Sequence, residues 1–232
     1  MLELFPEGFE ERDTVDGIEL AAYTDAGGEE RLWAAFGDVS AAAVPGGWEE
    51  RWRAFHRPVR VGPLWVGPPW ERAPRDAMPV VVDPGRAFGT GGHPTTRLTL
   101  RLLLEVEPAS LLDVGCGSGV IAIAAFRLGF SPVSGVDHDP AALESARRNA
   151  VANGVSIELW QGDALEDPLP VTDVVVANVS AAFISDLTPR LRSRYLVVSG
   201  YLESEHPTPA GYLPVSRLSE DGWAADLFQH EE

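Results

Sequence analysis

Gly115, Gly117 and Gly119 stand at alternate positions after the apolar run Leu111-Leu-Asp-Val114, and a helical pattern follows from about Ser118 to Leu128. Strand, tight turn and helix in that order bring the main chain within contact of a ligand. Glycine has no Cβ to hold a ligand off, and the first N–H groups of a helix have no partner within it. The spacing is Gly-x-Gly-x-Gly, not the Gly-x-Gly-x-x-Gly of dinucleotide sites, and Asp113 sits inside the strand. A pyrophosphate asks for a phosphate cradle. S-adenosylmethionine instead presents an amino-acid end whose ammonium asks for a carboxylate, which Asp113 would supply directly or through water. An ordinary strand-to-helix turn could carry the same glycines, so the residues downstream have to decide.

Asp137 ends the next strand-like run, Pro132-Val-Ser-Gly-Val-Asp137. An acidic residue about 20 positions past a glycine loop accepts from ribose hydroxyls in doubly wound sheets. The competing reading, a helix N-cap, belongs more naturally to Asp139, which precedes Pro140. Asp163, after Ile157-Glu-Leu-Trp160, reads either as an acceptor for an adenine amine or as a solvated loop residue. Asn178 closes the continuous apolar strand Val171 to Val179 and reads either as an amide facing the ligand crevice or as a turn former.

A second glycine-rich loop, Phe88-Gly-Thr-Gly-Gly-His-Pro-Thr-Thr96, opens a helix over His93 to Glu105. Thr90, His93, Thr95 and Thr96 gather hydroxyls and an imidazole at a helix N-terminus, suited to a ligand carboxylate. Capping accounts for one threonine and for Pro94, but not for three glycines around Thr90. Cys116 lies in the first glycine loop, where a small side chain packs; no His or base lies near it in sequence to make it a nucleophile.

These residues need a scaffold of alternating strands and helices. Asp139 to Gly154 and Ala181 to Arg192 read as helices, Tyr195 to Tyr201 and Trp223 to Phe228 as strands, so residues 80–232 read as a parallel α/β sheet. Residues 1–70 have a different texture: a strand over Ile18–Tyr23, a short helix over Glu29–Phe36, and Trp48, Trp52 and Phe55 on one helical stripe that reads as a core face. They read as a small α+β unit, joined through a linker over residues 71–79 in a stretch rich in Pro, Gly and Trp.

The formal net charge is −17, and all 18 cations are arginine. Phosphate backbones would repel such a chain, so no nucleic acid partner is expected and a basic protein suits it better. The one cysteine excludes an internal disulfide and a cysteine-cluster metal site; no metal is expected. The acidic start, broken by Pro6 and Gly8, is unlike a signal peptide, and no apolar run nears the roughly 20 residues of a membrane helix. The expectation is a cytoplasmic monomer.

Asp83-Pro-Gly-Arg-Ala-Phe-Gly-Thr-Gly-Gly-His-Pro-Thr-Thr96, Leu112-Asp-Val-Gly-Cys-Gly-Ser-Gly119, Gly135-Val-Asp-His-Asp-Pro140 and Val176-Ala-Asn-Val179 resemble, in order and spacing, the bacterial ribosomal protein L11 methyltransferases of the PrmA type. The last three motifs are shared by many Rossmann-like enzymes that use S-adenosylmethionine; the Phe-Gly-Thr-Gly element is more specific. The Trp48–Trp52 helix and Leu64-Trp-Val-x-Pro-Pro-Trp70 are similar to that family's joint between domains.

The resemblance implies a Rossmann-like class I fold with a mostly parallel seven-stranded sheet, preceded by a small, shortened recognition domain. It also implies S-adenosylmethionine as cofactor, held by Thr96, Gly115, Asp137 and Asn178, with Thr90 and His93 in a loop closing over it. Asp113, Gly117, Gly119 and Asp163 join the set from the reading above, and Asn178 doubles as the catalytic residue that orients the acceptor. The implied reaction is N-methylation of lysine side chains or the N-terminal amine of ribosomal protein L11. Another protein, a small amine, or cofactor binding without catalysis stand as alternatives, with a dinucleotide oxidoreductase behind them. The chain departs from the family pattern in its short N-terminal unit, in Val179-Ser-Ala-Ala182 where bulkier apolar residues are usual, and in a brief region after Leu202.

Overall fold

The computed structural model describes residues 10–14, 17–21, 26–37, 39–40, 57–83 and 91–231. The chain divides into two compact units, Met1–Trp52 and Arg53–Glu232. In the first, β1 (Glu10–Thr14) pairs antiparallel with β2 (Gly17–Ala21), and α1 (Ala26–Phe36) follows. The aromatic stripe expected over Trp48–Phe55 lies outside the described residues.

The second unit begins with a small sheet of β3 (Val59–Val61), β4 (Leu64–Gly67) and β5 (Met78–Val81). Val61, Leu64, Val66, Val80 and Val82 are buried in one core with Leu98 and Leu102 of α2 (Pro94–Leu103) and Ile121 and Ile123 of α3 (Val120–Arg127). The division therefore falls earlier than the linker expected at residues 71–79. Three short strands cannot bury their own apolar residues, and these bury theirs in the large unit.

The large sheet has seven strands in the order β11-β12-β10-β9-β6-β7-β8. They are β6 (Leu111–Val114), β7 (Val133–Asp137), β8 (Glu158–Gln161), β9 (Val174–Asn178), β10 (Tyr195–Leu202), β11 (Tyr212–Glu220) and β12 (Trp223–His230). Pairing is parallel from β8 through to β10, and β12 runs antiparallel to both its neighbours. The chain leaves β6 toward β7 and β8, then returns to the other side of β6 as β9. That reversal puts a crevice at the carboxyl ends of β6 and β9. The helices α4 (Pro140–Asn153) and α5 (Ala181–Leu187) complete the alternation, and a 3₁₀ turn over Thr188–Arg190 ends the helical stretch that sequence extended to Arg192.

Strand β11 has no counterpart in the sequence reading. It is an edge strand with Leu213 and Val215 exposed around Pro214, so the in–out alternation that marks a buried strand is missing. The two-residue turn Asp221-Gly222, with φ of 53° and 80°, joins it to β12 in the left-handed geometry that suits a hairpin.

Successive strand residues face opposite sides. Leu111, Val133, Val174 and Val176 belong to the core beneath α2 and α3, whereas Leu112, Val114, Val175 and Ala177 belong to the core beneath α5. Counting on by twos places Asp113, Asp137 and Asn178 on the first face, at the carboxyl ends of three neighbouring strands. Among the described residues no helix is long and apolar enough to cross a membrane.

Candidate functional site at the carboxyl edge of the sheet

The glycine loop holds its shape through left-handed backbone at Gly115, Gly117 and Gly119, with φ of 69°, 53° and 78°. Gly119 has a second reason to be glycine: a Cβ there would lie 3.1 Å from that of Ala146 on α4. It is the N-cap of α3 and offers no side-chain cap, so the helix starts on bare backbone.

Asp137 braces this loop. One carboxylate oxygen accepts from Gly117 N–H at 2.8 Å and the other from Asp139 N–H at 3.0 Å. The residue is 8% exposed, and each oxygen keeps a further lone pair for a hydroxyl. Asp139 takes the capping role expected of it, accepting from Ala141 N–H at 2.8 Å.

Asp113 is buried, with one oxygen on Ala122 N–H at 3.2 Å and the other without a hydrogen-bond partner among the described residues. Burial, with the charge of Asp137 adding to it, pushes its pKa up to about 7 against the single bond from Ala122. The hydroxyl of Thr96, which is fully buried, and the amide oxygen of Asn178 likewise lack a hydrogen-bond partner among the described residues. Buried acceptors without partners are rare in native folds because each costs about 1–3 kcal/mol. Those of Asp113 and Asn178 belong to the neighbouring strands β6 and β9, and with the Thr96 hydroxyl they fit a polar ligand with an ammonium, a carboxylate and N–H groups to offer.

His93 is the N-cap of α2 and accepts from Thr95 N–H at 3.3 Å; its ring stands edge-on to Trp223 with centroids 4.8 Å apart. Burial, and then the neighbouring Arg97, hold its pKa below the usual imidazole value. Arg97 donates to the carbonyl of Gly92 and pairs with Glu220 and Asp221, so the β11–β12 turn is fastened to the start of α2. Thr90 lies outside the described residues.

Asp163 follows Gly162, whose N–H donates to the carbonyl of Asp137 at 3.1 Å. It is exposed, and its carboxylate accepts from Leu165 N–H at 2.8 Å, the bond of a self-contained turn. Cys116 packs under Gly135, where an added Cβ would meet its sulfur at 3.3 Å. Burial, reinforced by Asp113 and Asp137, pushes its thiol well above the ordinary range. Native protein at pH 8 is therefore expected to resist iodoacetamide while urea-unfolded protein alkylates fully, read by intact mass. Rapid alkylation of the folded chain would contradict the burial argument.

Sequence reasoning passed over three residues that hold this arrangement. Gly200 interrupts β10 at a bulge between Ser199 and Tyr201, and a Cβ on it would lie 2.3 Å from the carbonyl oxygen of Val179, next to Asn178. A glycine inside a strand marks such a close approach, and Ser199-Gly200 carried that signal. Asn149 and Asn153 are the other two: polar residues within the helix predicted over Asp139 to Gly154, and both are buried.

The strand order, the glycine loop at its reversal point and the acidic residue ending β7 define the class I methyltransferase fold. Residues 36–208 match the model of the family described as ribosomal protein L11 methyltransferase (PrmA), and the chain belongs to that family. It is 41% identical over 196 residues to the ribosomal protein L11 methyltransferase of Symbiobacterium thermophilum, covering 78% of this chain and 64% of that protein. With the protein of the same name from Photobacterium profundum it is 43% identical over 166 residues, 67% of this chain and 56% of the other. The chain thus spans less than two thirds of the length of these relatives. Among solved structures, the ribosomal protein L11 methylase of Lactobacillus delbrueckii subsp. bulgaricus superposes with a TM-score of 0.69 at 26% identity, over 77% of this chain and 100% of that one.

Proposed function

We propose that this chain is an S-adenosylmethionine-dependent N-methyltransferase acting on ribosomal protein L11, at lysine side chains or the N-terminal amine. The observation that carries the reading is the trio of orphaned buried atoms on Thr96, Asp113 and Asn178. When bound, the cofactor supplies a methyl group on a positively charged sulfur. Asp113 would hold the ammonium of its amino-acid end, and the Thr96 hydroxyl would donate to its carboxylate. Asp137 would take the ribose hydroxyls with the lone pairs its two backbone bonds leave free. The amide oxygen of Asn178 would accept an N–H from the incoming neutral amine and leave the nitrogen lone pair pointing at the methyl. Alignment of this kind is the main contribution required of the protein, and no side chain has to act as a nucleophile.

A net charge of −17 favours encounter with a basic protein and disfavours nucleic acid. A monomer in the cytoplasm completes the reading. The test is purified chain with methyl-labelled cofactor and free ribosomal protein L11. The expected result is label in that protein, located by peptide mass spectrometry on lysine or the N-terminal amine. Calorimetric binding of S-adenosylhomocysteine without any label transfer would leave the cofactor site standing and remove the substrate.

A further inference from the structure

We infer that Asn149 is a positioning residue of the cofactor site, and that its single amide sets the glycine loop in register with the segment leaving β5. The inference rests on the proposed cofactor reading for its consequence, though not for its geometry.

One edge of β5 pairs with β4. The other edge, where a further strand would be expected, is met by α4. Val81 N–H donates to the amide oxygen of Asn153 at 2.8 Å, and the Asn153 NH₂ donates back to the Val81 carbonyl at 2.7 Å. Two residues on, Asp83 N–H donates to the amide oxygen of Asn149 at 3.1 Å. Alternate residues of a strand turn their N–H groups to the same side. Asn149 and Asn153, one helical turn apart, therefore mimic a neighbouring strand with side-chain amides. The Asn153 NH₂ also bonds the carbonyl of Asn149 at 2.8 Å, which ties the two together.

Asn149 does one thing more. Its NH₂ donates to the carbonyl of Ser118 at 2.9 Å, inside the glycine loop between Gly117 and Gly119. A donor on one side and an acceptor on the other leave only one orientation of the amide that satisfies both. The side chain is 2% exposed, so water cannot substitute for either partner. Fixing the Ser118 carbonyl fixes the peptide that carries Gly119 N–H, which closes the loop on the carbonyl of Cys116 at 2.8 Å. Asp137 holds the loop from the β7 side through Gly117, and Asn149 holds it from the α4 side through Ser118. Asn153 shares the helix, the burial and the contact with β5, but among the described residues its side chain bonds Val81 and Asn149 and not the loop.

That difference separates positioning from plain stability. Asn149→Ala and the milder Asn149→Ser are compared with Asn153→Ala in the full chain, by thermal unfolding, by amide hydrogen exchange and by calorimetry with S-adenosylhomocysteine. All three variants are expected to lower the melting temperature. Only the Asn149 variants are expected to speed exchange at Gly119 N–H and to raise the Kd by about tenfold, the loss of one buried hydrogen bond, with Asn153→Ala within about twofold of wild type. If Asn149→Ala does not fold, the serine variant carries the same comparison. Equal exchange at Gly119, or equal affinity, in the Asn149 and Asn153 variants overturns the inference. Wild-type chain that shows no binding removes the cofactor reading instead, and the exchange comparison still decides whether Asn149 sets the loop.

Discussion

Between about pH 4 and pH 7 the ligand-free chain is expected to lose about 4 kcal/mol of stability through Asp113 alone. Its carboxyl has an ordinary pKa of 3.8 and is pushed up to about 7 in the folded chain, chiefly by burial. Across that window the native state keeps the proton while the unfolded state has released it, so each unit of pH favours unfolding by up to about 1.4 kcal/mol. The stabilising effect of the neutral carboxyl is full below pH 4 and lost above pH 7. Other groups titrate in the same range, so the measurement is the difference between wild type and Asp113→Asn in urea unfolding at a series of pH values. The asparagine keeps an acceptor for Ala122 N–H and has no charge to release. It is expected to flatten the slope and to leave the variant more stable than wild type at pH 8. The same change removes the carboxylate proposed for the cofactor ammonium, so affinity for S-adenosylhomocysteine is expected to fall roughly 10- to 100-fold, the loss of a charge-assisted hydrogen bond. Stability and affinity moving in opposite directions is the signature of a buried charge kept for a ligand. A variant less stable than wild type at pH 8, with unchanged affinity, would remove that account.

The parts of this site legible in the sequence are those whose signal is local. Gly115, Gly117 and Gly119 announce a turn the main chain cannot make otherwise, and Asp139-Pro140 and Gly154 mark the two ends of α4 as found. Asp137 could be placed at the end of β7 because twofold alternation and its distance from the glycines both fall within about 25 residues of sequence. Asp163 could be placed after β8 in the same way, and the bond its carboxylate accepts from Leu165 N–H two residues on is local as well. The remainder depends on pairing between distant segments. The bond between Val81 and Asn153 spans 72 residues and that between Arg97 and Glu220 spans 123, and no periodicity reports either. The same holds for residues 71–79, which look like a linker until Leu64, Val66 and Val80 on either side of them are seen to share the core of α2 and α3. Strand β11 escaped for a related reason, since an edge strand whose outer residues are apolar has no alternation to read.

Gly200→Ala is expected to cut methyl transfer by about a hundredfold while weakening cofactor binding much less. The residue has a φ of +101°, and a Cβ would sit 2.3, 2.7 and 2.8 Å from the carbonyl oxygen, carbonyl carbon and nitrogen of Val179. All three are backbone atoms, so no side-chain rotation relieves the overlap. Val179 N–H is bonded to the Ser199 carbonyl at 2.9 Å, and Asn178 lies opposite Ser199 in the parallel register. The clash therefore pushes on the peptide joined to Asn178, while Asp137 and the glycine loop are held by separate bonds to Gly117 and Ser118. Displacing an aligning group by about 1 Å costs on the order of a hundredfold in rate, because alignment is what the site contributes. Strain at a left-handed non-glycine residue and the forced shift together are expected to lower stability by about 3 kcal/mol. Assays at low temperature on folded protein, with kcat and KM for ribosomal protein L11 read beside the Kd for S-adenosylhomocysteine, separate the two effects. The expected pattern is a collapse of kcat with a Kd within a few-fold of wild type. Folded Gly200→Ala that transfers methyl groups at the wild-type rate would mean that the carboxyl end of β9 yields without consequence, and Asn178 would lose its place as the residue that orients the acceptor.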